Sequence, residues 1–284
     1  MSEAISIYEV GPRDGLQSFD KEIPLRQRVK LVKKLKRAGL SQIEVGSLVH
    51  PSILPMRQSE KLYRKIGGDL LVLNQRGLQR ALVAGAKQVN VSISPFERFM
   101  SLNQNMSYRE AKLFYERLAS QIPINRLYIS CCFSSEVTKE QVLECIRWGK
   151  DLARWVVLCD TDSTATPDAV FEMCVEAKEL TDRIAVHFHT SKDLESCMKR
   201  AYDAGVRVYD TSIAGLGGCF SVDEAEGNVP TEALVVWAEH HGIPLEQRIN
   251  THRLNSVSHY AHNLSLTKRE RLASWLFQKV GVYI

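Results

Sequence analysis

Short apolar runs rich in β-branched residues alternate with longer amphipathic stretches along most of the chain. The apolar runs predict eight β-strands, at residues 5–10, 42–45, 70–73, 88–92, 126–130, 155–158, 183–188 and 208–212. The amphipathic stretches between them predict helices at 25–38, 75–84, 107–120, 138–151, 167–180 and 192–204. Several of these stretches end at Gly39, Gly85 or Gly205, and glycine is the preferred residue after a helix. Alternating strands and helices indicate parallel strands joined by crossover helices.

Eight such strand–helix units are the number that closes a TIM barrel. After the eighth strand come a glycine-rich loop, a predicted helix at about 231–240 and a helical region from 247 onward. We therefore predict an α/β fold, a TIM (β/α)8 barrel with extra C-terminal helices. The whole chain, 1–284, is expected to form one domain, with the barrel at about 5–240 and the helical region at about 241–284. The alternative is a doubly wound open sheet, but no GxGxxG motif follows the first strand.

Composition and charge exclude several classes of protein. The chain has 284 residues, 44% of them hydrophobic, which is enough for one large core. Its net charge of +4 comes from 37 basic and 33 acidic residues without a Lys/Arg block, so no nucleic-acid partner is expected. No apolar run approaches the ~20 residues of a membrane helix, and the first residues are neither a secretory signal nor a transit peptide. Seven cysteines without CxxC spacing indicate free thiols in a reducing compartment, so we expect a cytoplasmic protein.

The seventh predicted strand ends in two histidines, His187 and His189. Side chains two residues apart on a strand share a face, so both imidazoles can point at one cation. Neutral imidazole is the commonest metal ligand in proteins. Taken alone, however, such a pair is equally consistent with ordinary surface or hydrogen-bonded histidines.

Other polar residues fall at the carboxyl ends of predicted strands, where the chemistry of a TIM barrel is located. They are Arg13 and Asp14 after strand one, Glu44 on strand two, Asp160 after strand six and Cys219 in the glycine-rich loop after strand eight. Each has a structural alternative: Arg13 and Asp14 could form a turn, Glu44 could be a strand-end charge, Asp160 a helix N-cap and Cys219 a buried thiol. Their joint placement at one end of the predicted barrel favours an active site.

Several local motifs resemble those of one enzyme family. They are Glu9-Val-Gly-Pro-Arg-Asp-Gly-Leu-Gln17, Ile43-Glu-Val-Gly-Ser47, Asp160-Thr161, the HxH pair, and Gly215-Leu-Gly-Gly-Cys219 followed by Gly227-Asn228. Together they resemble the 3-hydroxy-3-methylglutaryl-CoA lyase family, part of a group of TIM-barrel metallolyases that includes isopropylmalate and homocitrate synthases. The likeness runs from about residue 5 to about residue 240. The GLGGC loop is much more specific to the lyases than the RD and HxH elements are.

The resemblance implies a role for each matching residue. Asp14, His187, His189 and Asn228 match the family's ligands for a divalent metal, typically Mg²⁺ or Mn²⁺. Arg13 matches the residue that steadies the enolate, and Asp160 and Glu44 match acidic residues that orient Arg13 or relay protons. Cys219 matches a general acid/base on a mobile loop. Such a site is a mixed nitrogen and oxygen site with room for water or substrate.

The implied reaction is retro-Claisen cleavage of a 3-hydroxyacyl thioester, which for the family's usual substrate releases acetyl-CoA and acetoacetate. The expected partner is a small molecule, an acyl-CoA or a hydroxy acid, and the expected assembly is a homodimer or a larger homo-oligomer. Three alternatives stay open: a Claisen-type synthase, an aldolase on a small hydroxy-keto acid, and a metal-binding barrel without catalysis.

Several departures from the family pattern distinguish this chain, two of them near the predicted metal ligands and in the glycine-rich loop. Thr190 follows the second histidine where family members commonly have Asp, which predicts a weaker orienting partner for a metal-bound imidazole. The loop at 220–226 carries Asp223, Glu224 and Glu226, and is more acidic than is typical of the family.

Overall fold

The sheet of this computed structural model, which describes residues 2–217 and 227–265, contains eight parallel strands. They are β1 (Ser6–Glu9), β2 (Glu44–Ser47), β3 (Asp69–Leu71), β4 (Val89–Ile93), β5 (Ile124–Ile129), β6 (Ala153–Cys159), β7 (Ile184–His187) and β8 (Val208–Thr211). Neighbours in the sheet follow chain order from β2 to β8, and β8 then pairs with β1. All eight predicted strands are present, with boundaries shifted by a few residues.

The barrel closes between β1 and β2. Residues Ser6–Glu9 lie opposite Val208–Thr211 of β8 on one side. On the other side Glu9 forms a parallel bridge with Ile43, and its backbone N–H donates to the Gln42 carbonyl at 2.9 Å. This closure confirms the predicted TIM barrel, and the alternative of an open doubly wound sheet is wrong.

Ten α-helices lie within the described residues. They are α1 (Leu25–Ala38), α2 (Ser59–Ile66), α3 (Gln75–Ala84), α4 (Glu97–Gln104), α5 (Tyr108–Ala119), α6 (Lys139–Gly149), α7 (Pro167–Leu180), α8 (Leu194–Asp203), α9 (Thr231–His240) and α10 (Thr251–Ser265). Helices α5 and α6 begin next to the predicted first residues, at capping boxes that Ser107 forms with Glu110 and Thr138 with Gln141. Helix α1 ends at Gly39, whose φ of 109° lies in the left-handed region that favours glycine.

Two helices, α2 and α4, were absent from the prediction. Each has eight residues, and helix α4 buries only Met100 while α2 buries only Ser59 and Leu62. One or two buried positions do not produce a recognisable helical period in so short a stretch. Helix α2 is the crossover helix between β2 and β3, whereas α4 is an addition to the connection between β4 and β5 that precedes α5. Neither changes the barrel topology.

Helices α9 and α10 lie against the outside of the barrel. Helix α9 spans the predicted residues, and α10 packs on α1. The predicted helical region beyond residue 265 lies outside the described residues. In the part of the chain that the structure describes, no helix is long and apolar enough to cross a membrane.

Candidate active site

Three of the predicted metal ligands converge at the carboxyl end of the barrel. One ligand atom from each of Asp14, His187 and His189 lies within 4.8 Å of the others. All three side chains line one pocket with Arg13, and its other lining residues include Leu73, Phe99 and Tyr128. The structure therefore brings together residues that lie up to 175 positions apart in the chain.

A π-helical turn, Gly11–Gly15, presents Arg13 and Asp14 to this pocket. The Val10 carbonyl accepts hydrogen bonds from the backbone N–H groups of Arg13 at 3.0 Å, Asp14 at 2.8 Å and Gly15 at 3.4 Å. Such turns are rare and often occur at functional sites. No helix was predicted for this stretch, because i→i+5 bonding has no recognisable sequence pattern.

Asn228, the fourth predicted metal ligand, lies beside the other three. It forms an antiparallel bridge with His189, and its Nδ2 donates to Asp14 Oδ2 and to the Leu216 carbonyl, both at 2.9 Å. Its Oδ1 is buried and has no hydrogen-bond partner among the described residues. A buried acceptor without a partner is costly, and an amide oxygen is a suitable ligand for a hard cation.

The electrostatics of the site favour the forms of these side chains that bind metal. Burial opposes ionisation of Asp14, but the Arg13 guanidinium and the His187 imidazole outweigh it and lower the pKa of Asp14 to about 2. Burial and the neighbouring His187 lower the pKa of His189 to about 4. At neutral pH the carboxylate is therefore charged and His189 is neutral, as metal ligation requires. One carboxylate, two imidazoles and an amide oxygen fit a divalent cation.

Arg13 is held between two carboxylates. Its Nε donates to Glu44 and its NH1 group donates to Asp14, while the guanidinium lies 5.5 Å from the centre of the Tyr128 ring. Glu44 is fully buried and also accepts a hydrogen bond from Asn90 Nδ2 at 2.6 Å. Burial raises the pKa of Glu44, and the Arg13 charge opposes that rise. The arrangement fixes the direction of the Arg13 cation at the pocket.

Of the two roles implied for Asp160, orienting Arg13 and relaying protons, its hydrogen bonds do not support the first. Its Oδ1 accepts hydrogen bonds from the backbone N–H groups of Thr164 and Ala165, both at 3.0 Å, so it closes the turn after β6. Contact with Arg13 is made by Glu44 and Asp14 instead. The structural alternative, a helix N-cap, is also wrong, since Thr166 caps α7. Burial raises the pKa of Asp160 to about 6, which suits proton transfer near neutral pH.

Asp210 and Arg126, two charged residues that were not selected from the sequence, form a pair next to His187. Asp210 lies opposite His187 in the sheet, and its Oδ2 is 3.5 Å from His187 Nδ1. Asp210 is itself paired with Arg126, and both are buried. Each is a charged residue within an otherwise apolar predicted strand. A buried charge requires a partner, so this position in the sequence could have identified both residues. The Thr190 hydroxyl donates to the Asn228 carbonyl at 3.4 Å, whereas Asp210 is the carboxylate beside His187 Nδ1.

Glu9 connects three segments of the site, and it too was not selected from the sequence as a site residue. Its Oε1 accepts from the backbone N–H groups of Gly11 at 2.8 Å and Ile213 at 3.0 Å, and its Oε2 accepts from the Thr231 hydroxyl at 2.6 Å. These contacts connect the turn with Arg13 and Asp14, the start of the glycine-rich loop and the segment after Asn228. Burial raises the pKa of Glu9 to about 7.

The glycine-rich loop is described only in part. Cys219, the predicted general acid/base, lies outside the described residues, as does the acidic stretch at 220–226. Gly217 has a φ of 125°, and a Cβ atom there would collide with the side-chain amide of Asn228. Only glycine therefore allows the loop to pass this close to Asn228.

Comparison with known proteins identifies the family. The HMGL-like family model matches residues 4–260. The chain belongs to the HMGL-like family. A hydroxymethylglutaryl-CoA lyase from Pseudomonas mevalonii is 34% identical over 253 residues, which cover 82% of this chain and 84% of the relative. An (R)-citramalyl-CoA lyase from Chloroflexus aurantiacus is 28% identical, covering 85% of this chain and 86% of the relative.

A solved structure supports the same assignment. An HMG-CoA lyase from Acinetobacter baumannii, in complex with coenzyme A and 3-methylmalate, superposes with a TM-score of 0.85 at 27% identity, and the match covers 92% of this chain and 91% of that one. The barrel and the order of its strands are therefore those of a lyase in this HMGL-like family.

Proposed function

We propose that the chain is a divalent-metal-dependent carbon–carbon lyase that cleaves 3-hydroxy-3-methylglutaryl-CoA into acetyl-CoA and acetoacetate. The observation that carries the proposal is the convergence of Asp14, His187 and His189 beside Arg13 in one pocket. Family membership supports the same reaction, because curated relatives include several hydroxymethylglutaryl-CoA lyases.

The reaction requires stabilisation of an oxyanion and transfer of two protons. The proton of the tertiary C3 hydroxyl is removed and the C2–C3 bond breaks, so the bonding pair moves into a thioester enolate. The C3 oxygen becomes the ketone of acetoacetate, and C2 of the enolate takes up a proton to give acetyl-CoA. Oxyanion stabilisation and proton transfer are the two tasks to be assigned to residues.

Arg13 is the residue we assign to enolate stabilisation. A fixed cation beside developing negative charge stabilises the transition state more than the ground state. Glu44 prevents the guanidinium from turning away, because it pairs with Nε and is itself held by Asn90. Glu44 is thus a positioning residue for Arg13.

Asp14, His187, His189 and Asn228 are the residues we assign to metal binding, and Mg²⁺ or Mn²⁺ suits their mixed donor set. When bound, the cation would supply Lewis acidity to the hydroxyl and carbonyl oxygens of the substrate. His187 is oriented for this role by Asp210, which faces the opposite ring nitrogen.

Cys219 and Asp160 are the residues we assign to proton transfer. The assignment of Cys219 rests on its place in the GLGGC motif, which follows β8 at the barrel mouth. Asp160 is supported by its raised pKa of about 6 and its position after β6. Gly215 and Gly217, both with positive φ, lead into the loop that carries Cys219.

A product analysis tests the proposal. The purified chain is incubated with Mn²⁺ or Mg²⁺ and 3-hydroxy-3-methylglutaryl-CoA, citramalyl-CoA or the free hydroxy acids, and products are identified by mass. We expect acetyl-CoA and acetoacetate from the first substrate, with activity removed by a chelator and restored by Mn²⁺. Citramalyl-CoA belongs in the panel because the chain also resembles a lyase for that thioester.

A second arm supplies acetyl-CoA with acetoacetate or other keto acids, which detects a condensing enzyme. If a folded, Mn²⁺-loaded preparation converts no compound in either direction, the lyase proposal is wrong and a barrel without catalysis is favoured. A cytoplasmic location, a homo-oligomeric assembly and a single domain over the whole chain stay predictions, and light scattering on the purified protein tests the assembly.

A further inference from the structure

A second cluster of potential metal ligands lies on the outer surface of the barrel. One ligand atom from each of Glu195, His240 and His241 lies within 4.8 Å of the others. Glu195 belongs to the first turn of α8, His240 is the last residue of α9, and His241 follows it. None of the three lines the active-site pocket, so this cluster is separate from the proposed catalytic site.

His241 is already arranged as a metal ligand. Its Nδ1 lies 2.9 Å from the Trp237 carbonyl oxygen. A carbonyl can only accept, so Nδ1 carries the proton and Nε2 presents its lone pair. Donation of the second ring N–H to a backbone carbonyl is the usual arrangement of a metal-bound histidine. The buried Trp237 ring, 5.0 Å from the His241 ring between centroids, holds the imidazole from one side.

The surroundings favour a cation over an anion. The two imidazoles stand at the carboxyl end of α9, where the helix dipole is negative. Their rings are 5.2 Å apart between centroids and inclined at 78°, so each can direct a nitrogen toward a common point without stacking. Glu195 adds a carboxylate on the side of α8. Glu195 and His240 are exposed, which leaves space for water to complete the coordination.

We propose that Glu195, His240 and His241 form a second metal site, selective for a borderline transition-metal ion such as Zn²⁺. Two imidazoles and one carboxylate are a donor set that zinc accepts, whereas Mg²⁺ prefers oxygen ligands alone. Bonds of about 2.0–2.2 Å place two ligands of one cation roughly 3–4 Å apart, so small rotations of these side chains complete the site.

A cation at this site would join two helices that begin at the barrel mouth. Helix α8 begins shortly after His189, and α9 begins shortly after Asn228. A cation held by Glu195 and the two histidines joins these two helices. It therefore stabilises the folded protein, because a ligand that binds only the folded state shifts the unfolding equilibrium in its favour.

Titration with Zn²⁺ tests the proposal without relying on lyase activity. Four proteins are compared by calorimetry: the parent, Glu195→Ala/His240→Ala, His189→Ala and His259→Ala. Thermal unfolding adds a fifth, the variant that combines Glu195→Ala/His240→Ala with His189→Ala. His259 is an exposed histidine on α10 outside the cluster, so its variant is the matched control. We expect two Zn²⁺ equivalents for the parent and the control, and one for each of the other two.

Thermal unfolding separates the two sites. We expect Zn²⁺ to raise the Tm of His189→Ala by about 5 °C at 100-fold excess over Kd, and that second-site rise to be lost when Glu195→Ala/His240→Ala is added to it. Without metal, the Tm of Glu195→Ala/His240→Ala should match the parent, because both side chains are exposed. The proposal is overturned if this variant still binds two equivalents, or if His189→Ala binds none.

Discussion

The two ligand clusters of this molecule have similar side chains but very different surroundings. Asp14, His187 and His189 are carried by strand ends and a π-turn, and both imidazoles are buried. Glu195, His240 and His241 are carried by the ends of two helices on the surface. The first cluster has Arg13, Asn228 and Asp210 beside it, whereas the second is oriented by the backbone carbonyl and the ring of Trp237.

The two clusters show that the features sufficient for metal binding differ from the features needed for metal-assisted catalysis. A ligand set needs only a few donors at suitable distances. Catalysis also needs a pocket for the substrate, a fixed cation for the developing charge and groups that transfer protons. Of the two clusters, the strand-end cluster lies in a pocket with Arg13, so we expect the chemistry there and a structural role for the surface cluster.

The largest effect should come from removing a ligand of the buried cluster. His189→Ala leaves Asp14 and His187 without their third partner, so Mn²⁺ binding should be weakened severely. Because metal assistance contributes several kcal/mol to such reactions, we expect cleavage to fall by about 10³-fold or more. Calorimetry with Mn²⁺ and thioester cleavage are the measurements. Binding of Mn²⁺ as tight as in the parent would show that the site is placed wrongly.

A loss of chemistry with intact metal binding is expected for Cys219→Ser. A thiol that acts as a general acid/base typically contributes ~10²–10⁴-fold to the rate, so the variant should lose at least ~100-fold in kcat. Its Mn²⁺ affinity should equal that of the parent. An unchanged rate would reduce Cys219 to a structural thiol, and Cys197→Ser, which replaces a buried cysteine on α8, is the comparison variant.

A smaller effect is expected from Asp210→Asn, which keeps the shape of the side chain but removes its charge. Groups that orient a metal-bound imidazole contribute ~10–100-fold in metal affinity or activity, and we expect a loss in this range. Stability should fall as well, since Arg126 remains buried without a charged partner. The control is Asp203→Asn, whose partner Lys199 lies on the surface at 2.6 Å and should matter little. Parent-like Mn²⁺ affinity for Asp210→Asn would contradict the assignment.

Glu9→Gln should change how stability depends on pH. Burial raises the pKa of Glu9 from 4.5 to about 7 in the folded protein, so its contribution to stability is full below pH 4.5 and is lost as the pH rises through 7. The amide stays neutral throughout. We expect the unfolding free energy of the variant, relative to the parent, to increase by about 2–4 kcal/mol between pH 4.5 and pH 8. Urea unfolding of both proteins at the two pH values measures the change, and a constant difference would contradict it.

The smallest effect is expected where the comparison predicts none. Glu195→Ala/His240→Ala should cleave the thioester within about twofold of the parent rate at saturating Mn²⁺. Substitutions of exposed residues away from the pocket usually have small energetic effects, so they should leave the pocket and its rate nearly unchanged. A loss of tenfold or more would mean that the surface cluster supports the catalytic site, and would remove the distinction drawn between the two clusters.

Local sequence was sufficient for the elements whose signals lie within a few residues. Helices α1, α3 and α7 span the predicted residues because each has a periodic apolar face and an end marked by glycine, proline or a capping residue. The placement of Asp14, His187 and His189 at one pocket also followed, since chain order and the rule that parallel strands end at one face bring them together.

Tertiary structure alone decided the contacts between distant segments. The pairing of Asp210 with Arg126, the junction formed by Glu9 and the approach of Glu195 to His240 join residues that lie far apart in the chain. The contact of Arg13 with Glu44 and not with Asp160 is of the same kind. These contacts depend on strand register and helix tilt, which are set by packing over the whole barrel and have no short-range signature in the sequence.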